Sequence, residues 1–163
     1  MKNPKHVNRL LARYGGDILK SESYLKNKGF VQHGNVSVYR HCINVAQMSL
    51  RIGRRLPVAV SEREMVRGAL LHDYFLYDWH GKKVGLNEIL HFYKMHGFTH
   101  PKEAAKNAER DFRITPLERE IILKHMWPLT ILDMPTCREA WIVTAADKYV
   151  SFLETIHVLK GDL

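Results

Sequence analysis

Cysteine is scarce in this chain: Cys42 and Cys137 are its two, with no CxxC pair. That excludes a disulfide framework and a cysteine zinc site, and it fits a reducing compartment. Long apolar runs are missing as well. No segment approaches the ~20 apolar residues of a bilayer span. The N-terminus MKNPKHVNRLLARYGG has no uninterrupted apolar stretch of signal-peptide length. The expectation is a soluble cytoplasmic protein with no membrane partner. Strand-type alternation is nearly absent, and neither internal repeats nor low-complexity segments are visible. Acidic residues are in the minority, 17 against 25 Lys and Arg, a formal charge of +8 with neutral histidines. Such a surplus favours an anionic ligand without choosing among nucleotide, phosphorylated metabolite, RNA or acidic protein.

What is present is helical periodicity. The 163 residues read as one domain, 1–163, long enough to bury roughly 68–70% of the surface of its unfolded chain. Gly and Pro fall between periodic segments, so the fold class expected is all-α. Two short helices, Pro4 to Tyr14 and Asp17 to Asn27, are broken at Gly15-Gly16 and pack on a core spanning residues 35–160. A helix from Ser37 to Arg55 turns His41 inward with Val45, Met48 and Ile52. Ser61-Glu62-Arg63-Glu64 has capping-box form for a helix to Leu76; Thr115-Pro116-Leu117-Glu118 and Thr136-Cys137-Arg138-Glu139 repeat it for helices ending near Met126 and Lys160. Asp78 to Thr99 reads as a lid or connecting excursion with a short helix from Asn87 to Met95. Thr99 then caps a helix from His100 to Phe112, with Pro101 tolerated in its first turn. The last helix places Asp147 in a stripe with Ala140, Val143 and Val150, where an unpaired carboxylate is costly.

Six ligand-type side chains stand at inward faces or helix ends: His41, His72, Asp73, His100, His125 and Asp147. Their successive gaps of 31, 1, 27, 25 and 22 residues let them meet only where several helices converge, which is bundle-core metal geometry. Imidazole with carboxylate suits iron, manganese, cobalt or zinc, and does not suit an oxygen-only Ca²⁺ cage. Four ligands hold one ion. Six make room for two if one carboxylate bridges, and Asp73, joined to His72, is the expected bridge. Two such ions lower the pKa of a shared water and suit a phosphate ester. Each residue also has a structural alternative. His41 and Asp147 could be a hydrogen-bonded buried pair, His100 a surface residue at a helix start, and His125 a cation matched to a helix C-terminus. The ordered set favours metal.

The order His41, His72-Asp73, Asp147 resembles the metal-binding signature of the HD-domain metal-dependent phosphohydrolases. His100 and His125 fall in the intervals where two-metal members of that superfamily supply extra histidines. The segments NVSVYRHCINVAQMSLRIG, GALLHDYFLYDWH and IVTAADKYVSFLE are similar to those that carry the ligands there, and the resemblance covers residues 35–159. It implies a compact helical HD-domain bundle with the metal site in its core, and two divalent ions, iron or manganese first, with cobalt, zinc or magnesium next. It implies hydrolysis at phosphorus of a nucleotide, dinucleotide or small phosphorylated metabolite. Asp73 and Asp147 are then the catalytic carboxylates, Asp73 bridging the ions and Asp147 also orienting a metal-bridging hydroxide. Two departures stand out. YFLYDWH follows Asp73 where the cyclic dinucleotide phosphodiesterases carry Gly-Tyr-Pro, and Asp147-Lys148-Tyr149-Val150-Ser151 replaces the Asp-Tyr-Ile-Glu-Pro-like ending of symmetrical diadenosine tetraphosphate hydrolases.

Lys124, Lys148, His96 and Arg40 are the candidates for contact with substrate. Three of them adjoin a ligand in sequence, and neighbouring helical residues point about 100° apart, which directs them to the pocket rim or solvent. Two rival classes remain open. A di-iron HD-type oxygenase has a similar ligand set. A nucleic-acid-binding module accounts for the charge, although no ribonucleoprotein motif or recognition helix is present. A degenerate metal-free binding protein has no reason to keep all six ligand types. The sequence leaves the oligomeric state open.

Overall fold

Val7, Leu10, Leu11 and Ile18 recur at helical spacing and keep one face of α1 (Pro4–Lys20) on the core, straight through Gly15-Gly16 where a break was expected. Gly15 serves contact here instead of a turn, since a Cβ on it would stand 2.3 Å from Leu70 Cδ1. Packing against a neighbouring helix has overridden the local breaker. The computed structural model describes the backbone of residues 4–33, 35–76 and 86–159 and the side chains of 5–32, 35–76 and 98–156.

A short α2 (Glu22–Leu25) and a 3₁₀ turn (Lys26–Gly29) lead into a hairpin of β1 (Val31–His33) and β2 (Val36–Ser37). The strands are antiparallel, Val31 opposite Ser37 and His33 opposite Val36, with an irregular register between them. The described residues are otherwise all-α, as the helical periodicity of the sequence implies. Ser37 ends the hairpin and caps α3 (Val38–Gly53), its hydroxyl accepting the Arg40 N–H at 3.3 Å. Such a cap supplies about 1 kcal/mol. α4 (Glu62–Leu71), α5 (Leu86–Phe112), α6 (Pro116–Lys124) and α7 (Arg138–Leu159) complete the bundle. α3 lies against both α4 and α7, α4 against α1 and α6, and α6 against α5 and α7.

The core between them is formed by Leu50, Met65, Leu70, Leu71, Ile121 and Ile122, all fully buried, each worth about 1.5–3 kcal/mol of transfer free energy. α4 and α6 approach closely because Gly68 presents no side chain: a Cβ there would lie 2.7 Å from Ile121 Cγ2. Within this apolar layer Arg67, nearly buried, donates to Glu118 Oε1 at 2.8 Å and to both oxygens of Asp17 at 2.6 and 2.7 Å, tying α4 to α6 and α1.

Of the three expected capping boxes, the one at Thr115 forms with both halves, Thr115 Oγ1 accepting from Glu118 N–H at 3.2 Å and Glu118 Oε2 from Thr115 N–H at 3.0 Å. The other two are rearranged. The Ser61 N–H donates to Glu139 Oε1 at 2.7 Å, so the acid of the third box serves the head of α4, and the Ser61 hydroxyl turns to the Glu64 carboxylate. Thr136 is held by Glu120, and Cys137 Sγ instead accepts the Ala140 N–H at 3.4 Å. Tertiary neighbours have replaced the sequence-local partners.

Two helix limits also differ from expectation. α5 runs unbroken through Pro101, because what proline removes is one N–H···O=C bond while the residues on both sides remain helical. The proposed separate helices Asn87 to Met95 and His100 to Phe112 are thus one element, whereas residues 77–85 of the excursion lie outside the described residues. α4 stops at Leu71 instead of Leu76: His72 is its C-cap, the Tyr74 N–H turns back to the Leu71 carbonyl at 3.1 Å, and Asn107 Nδ2 of α5 takes the carbonyls of Tyr74 and Phe75 at 3.1 and 3.3 Å. Leu76, with φ 59°, is left-handed and incompatible with helix. After α6 the chain makes a cis Trp127–Pro128 bond, and Trp127 packs edge-on against Trp141 of α7, ring centroids 4.8 Å apart. No helix among the described residues is long and apolar enough to cross a membrane.

Candidate metal centre

The termini of α4 and α6 aim two histidines at the middle of the bundle for the same local reason. Each caps its helix, and each ring donates Nδ1–H to a carbonyl three residues back: His72 to Ala69 at 2.8 Å, His125 to Ile122 at 2.7 Å. A carbonyl only accepts, so Nδ1 carries the proton and Nε2 is presented to the centre. His41 comes from the first turn of α3, His100 from α5, and Asp147 from α7, while Asp73 follows His72 directly. Asn107, two turns beyond His100 on α5, pins the backbone just past Asp73. All six residues are buried, none more than 6% exposed.

Asp73 divides its oxygens between two groups. Its Oδ2 lies 3.4 Å from His72 Nε2 and 3.8 Å from His41 Nε2; Asp147 Oδ1 closes that group at 3.2 Å from His41 Nε2 and 3.7 Å from His72 Nε2. Its Oδ1 lies 3.3 Å from His100 Nε2 and 3.5 Å from His125 Nε2, which are 2.9 Å from each other. Both His41-His72-Asp73 and Asp73-His100-His125 offer donor atoms close enough together to hold an ion. His72 Nε2 is buried without a hydrogen-bond partner among the described residues. An orphaned imidazole nitrogen between two carboxylates is costly unless it has a cation to bind, so the donor set fits divalent metal in chemistry and in arrangement.

The electrostatics of the protein alone are those of a site awaiting positive charge. Burial raises the Asp73 carboxyl, but His72, His100 and His125 outweigh it and hold the group well below the usual carboxylate range. Burial likewise opposes the ionisation of Asp147, but His41, His72 and Lys148 outweigh it and hold that carboxyl well below the usual range. Desolvation lowers the His41 imidazole, yet hydrogen bonds to Asp147 and Glu154 bring it up to about 10. His72 is raised well above its ordinary value against the same burial, chiefly by the charge of Asp73. Burial dominates at His125, with the charges of His72 and His100 adding to it, and pushes that ring down to about 4.

The HD-domain family profile matches residues 38–151, the stretch from the start of α3 through the turn of α7 that carries Asp147. The chain belongs to the HD-domain family. Neither the curated proteins nor the solved structures searched include a match to it. Membership places this HD domain among metal-dependent hydrolases, and its His and Asp clusters are ones that can hold metal.

The outlying candidates meet different surroundings. Lys148 Nζ donates to Asp147 Oδ2 at 2.8 Å and to the His125 carbonyl at 3.3 Å, so its cation stands at the edge of the cluster. Lys124 is turned to Glu120, 3.8 Å away, and Arg40 is exposed on α3. The His96 side chain lies outside the described residues. Two neighbours of these six side chains escaped the sequence reading. Gln32, from the hairpin, donates Nε2–H to Asp73 Oδ2 at 2.7 Å, and Glu154 receives His41 Nδ1 at 2.8 Å. Glu154 carried a usable signal, lying seven residues after Asp147 and so on the same face of α7. Gln32, in a three-residue strand, carried none.

Proposed function

We propose that this protein is a metal-dependent phosphohydrolase that cleaves a phosphate ester or anhydride of a nucleotide, dinucleotide or small phosphorylated metabolite. What carries the reading is the division of Asp73, one oxygen toward His41 and His72 and the other toward His100 and His125. His41, His72, Asp73 and Asp147 hold one divalent ion, and His100, His125 and the second oxygen of Asp73 hold another, iron or manganese being the best suited. Two ions so held lower the pKa of a shared water and neutralise charge on a phosphoryl group. Asp147, held at Oδ2 by Lys148, would orient the attacking hydroxide, and the Lys148 ammonium adds positive charge at the rim for a substrate phosphate. Phe75, buried and edge-on to His100 at 5.8 Å, helps keep bulk water from the centre.

Metal analysis of the purified protein, coupled to a phosphate-release screen over nucleotides and dinucleotides with Asp73→Ala as control, tests this. Two divalent ions per chain and a phosphate release that Asp73→Ala abolishes are expected. Hydrolysis and metal content that survive Asp73→Ala would sink the assignment, and bound iron with oxygen consumption but no phosphate release would redirect it to oxygenase chemistry.

A further inference from the structure

His41 is gripped at both nitrogens by α7. Its Nε2 faces Asp147 at 3.2 Å, and its Nδ1 lies 2.8 Å from Glu154 Oε2. Asp147 and Glu154 are two helical turns apart and share the face of α7 turned to α3. The other oxygen of Glu154 is not idle: it accepts from Asn44 Nδ2 at 2.9 Å, and Asn44 sits one turn after His41 on α3. Ring, carboxylate and amide therefore close a loop across the α3–α7 contact. Glu154 is 7% exposed, and a carboxylate withdrawn from water this far is tolerated only with such partners.

We propose that Glu154 is a positioning residue for metal, fixing the orientation of the His41 imidazole and strengthening Nε2 as a donor. This rests on the two-ion reading above. With Nδ1–H given to a carboxylate, the neutral ring presents its lone pair at Nε2, and the negative charge behind it makes that nitrogen more basic. His72 and His125 have only backbone carbonyls in the same place. Glu154 thus gives the His41-His72 side of the centre a charged support.

Titration of the full chain with Co²⁺ alone, followed by its visible absorption bands, tests the proposal without any substrate. Two classes of site are expected in the wild type. Glu154→Gln, which keeps the size and the hydrogen-bond acceptor but not the charge, and Glu154→Ala weaken one class, the one His41 serves, about 10–100-fold, the range for loss of an outer partner of a metal ligand. The penalty of Glu154→Ala disappears in a His41→Ala background and persists in a His125→Ala background, because the effect passes through His41. A wild type that binds no Co²⁺ overturns the two-ion reading itself. Wild-type binding with both Glu154 variants within twofold of it overturns the role of Glu154 alone, as does an undiminished penalty in the His41→Ala background, the mark of a merely structural residue. Should Glu154→Ala fail to fold, Glu154→Gln carries the comparison.

Discussion

Asp73 is the residue on which both halves of the centre depend, and its removal differs in kind from the removal of any histidine. Asp73→Ala deletes a donor from each group, while His125→Ala deletes one from the second group only and leaves His41, His72 and Asp147 in place. The expected outcome by metal analysis after dialysis is near-complete loss of both ions in Asp73→Ala and retention of one per chain in His125→Ala. Loss of both ions in His125→Ala would show that the two positions are not separable. The six side chains themselves were legible in the sequence, since each stands at an inward helical position or a helix end in an order that one converging site explains. Gln32 was not, because it works through another side chain and its contact joins segments 41 residues apart, whereas Glu154, whose contact spans 113 residues, was marked only by sharing the helix face of Asp147.

At the scale of elements, local punctuation was read correctly in kind and overruled in place. Gly15-Gly16 and Pro101 are breakers by propensity, yet α1 and α5 pass through both, since burial of a whole helix face outweighs the ~1 kcal/mol of a glycine or one lost hydrogen bond. The capping boxes failed for a related reason: at Ser61 and Thr136 a carboxylate from a different helix reached the donor first. Glycine at the α4–α6 contact is similarly decided by its neighbour. Gly68→Ala places a Cβ within 2.9 Å of three Ile121 atoms, and such overpacking costs about 1–3 kcal/mol despite the helical preference for alanine. At Gly15 the tightest obstacle is one terminal methyl of Leu70, which can rotate away. Urea unfolding is therefore expected to show Gly68→Ala clearly less stable than Gly15→Ala; equal midpoints would contradict the close-packed interface.

For the whole molecule, the acid limit of stability is set in part by carboxylates remote from the centre. Burial opposes but Arg67 prevails in lowering Asp17; the Ser61 hydroxyl lowers Glu64; and Thr136 overcomes burial to lower Glu120. Each is a group whose folded pKa lies below its ordinary value of 3.8 for Asp or 4.5 for Glu. The stability each adds is fully present above those values and is lost as pH falls through the lower folded ones. Urea midpoints measured from pH 7 downward should begin to drop below about pH 4.5, and Asp17→Asn should flatten that drop. An Asp17→Asn profile parallel to the wild type throughout would remove Asp17 from the account. Finally, the edge-on indoles of Trp127 and Trp141 join the chain just past His125 to the helix that carries Asp147. Two of the protein's three indoles therefore stand between segments that supply opposite sides of the cluster, and ultraviolet emission is expected to change if an ion enters there.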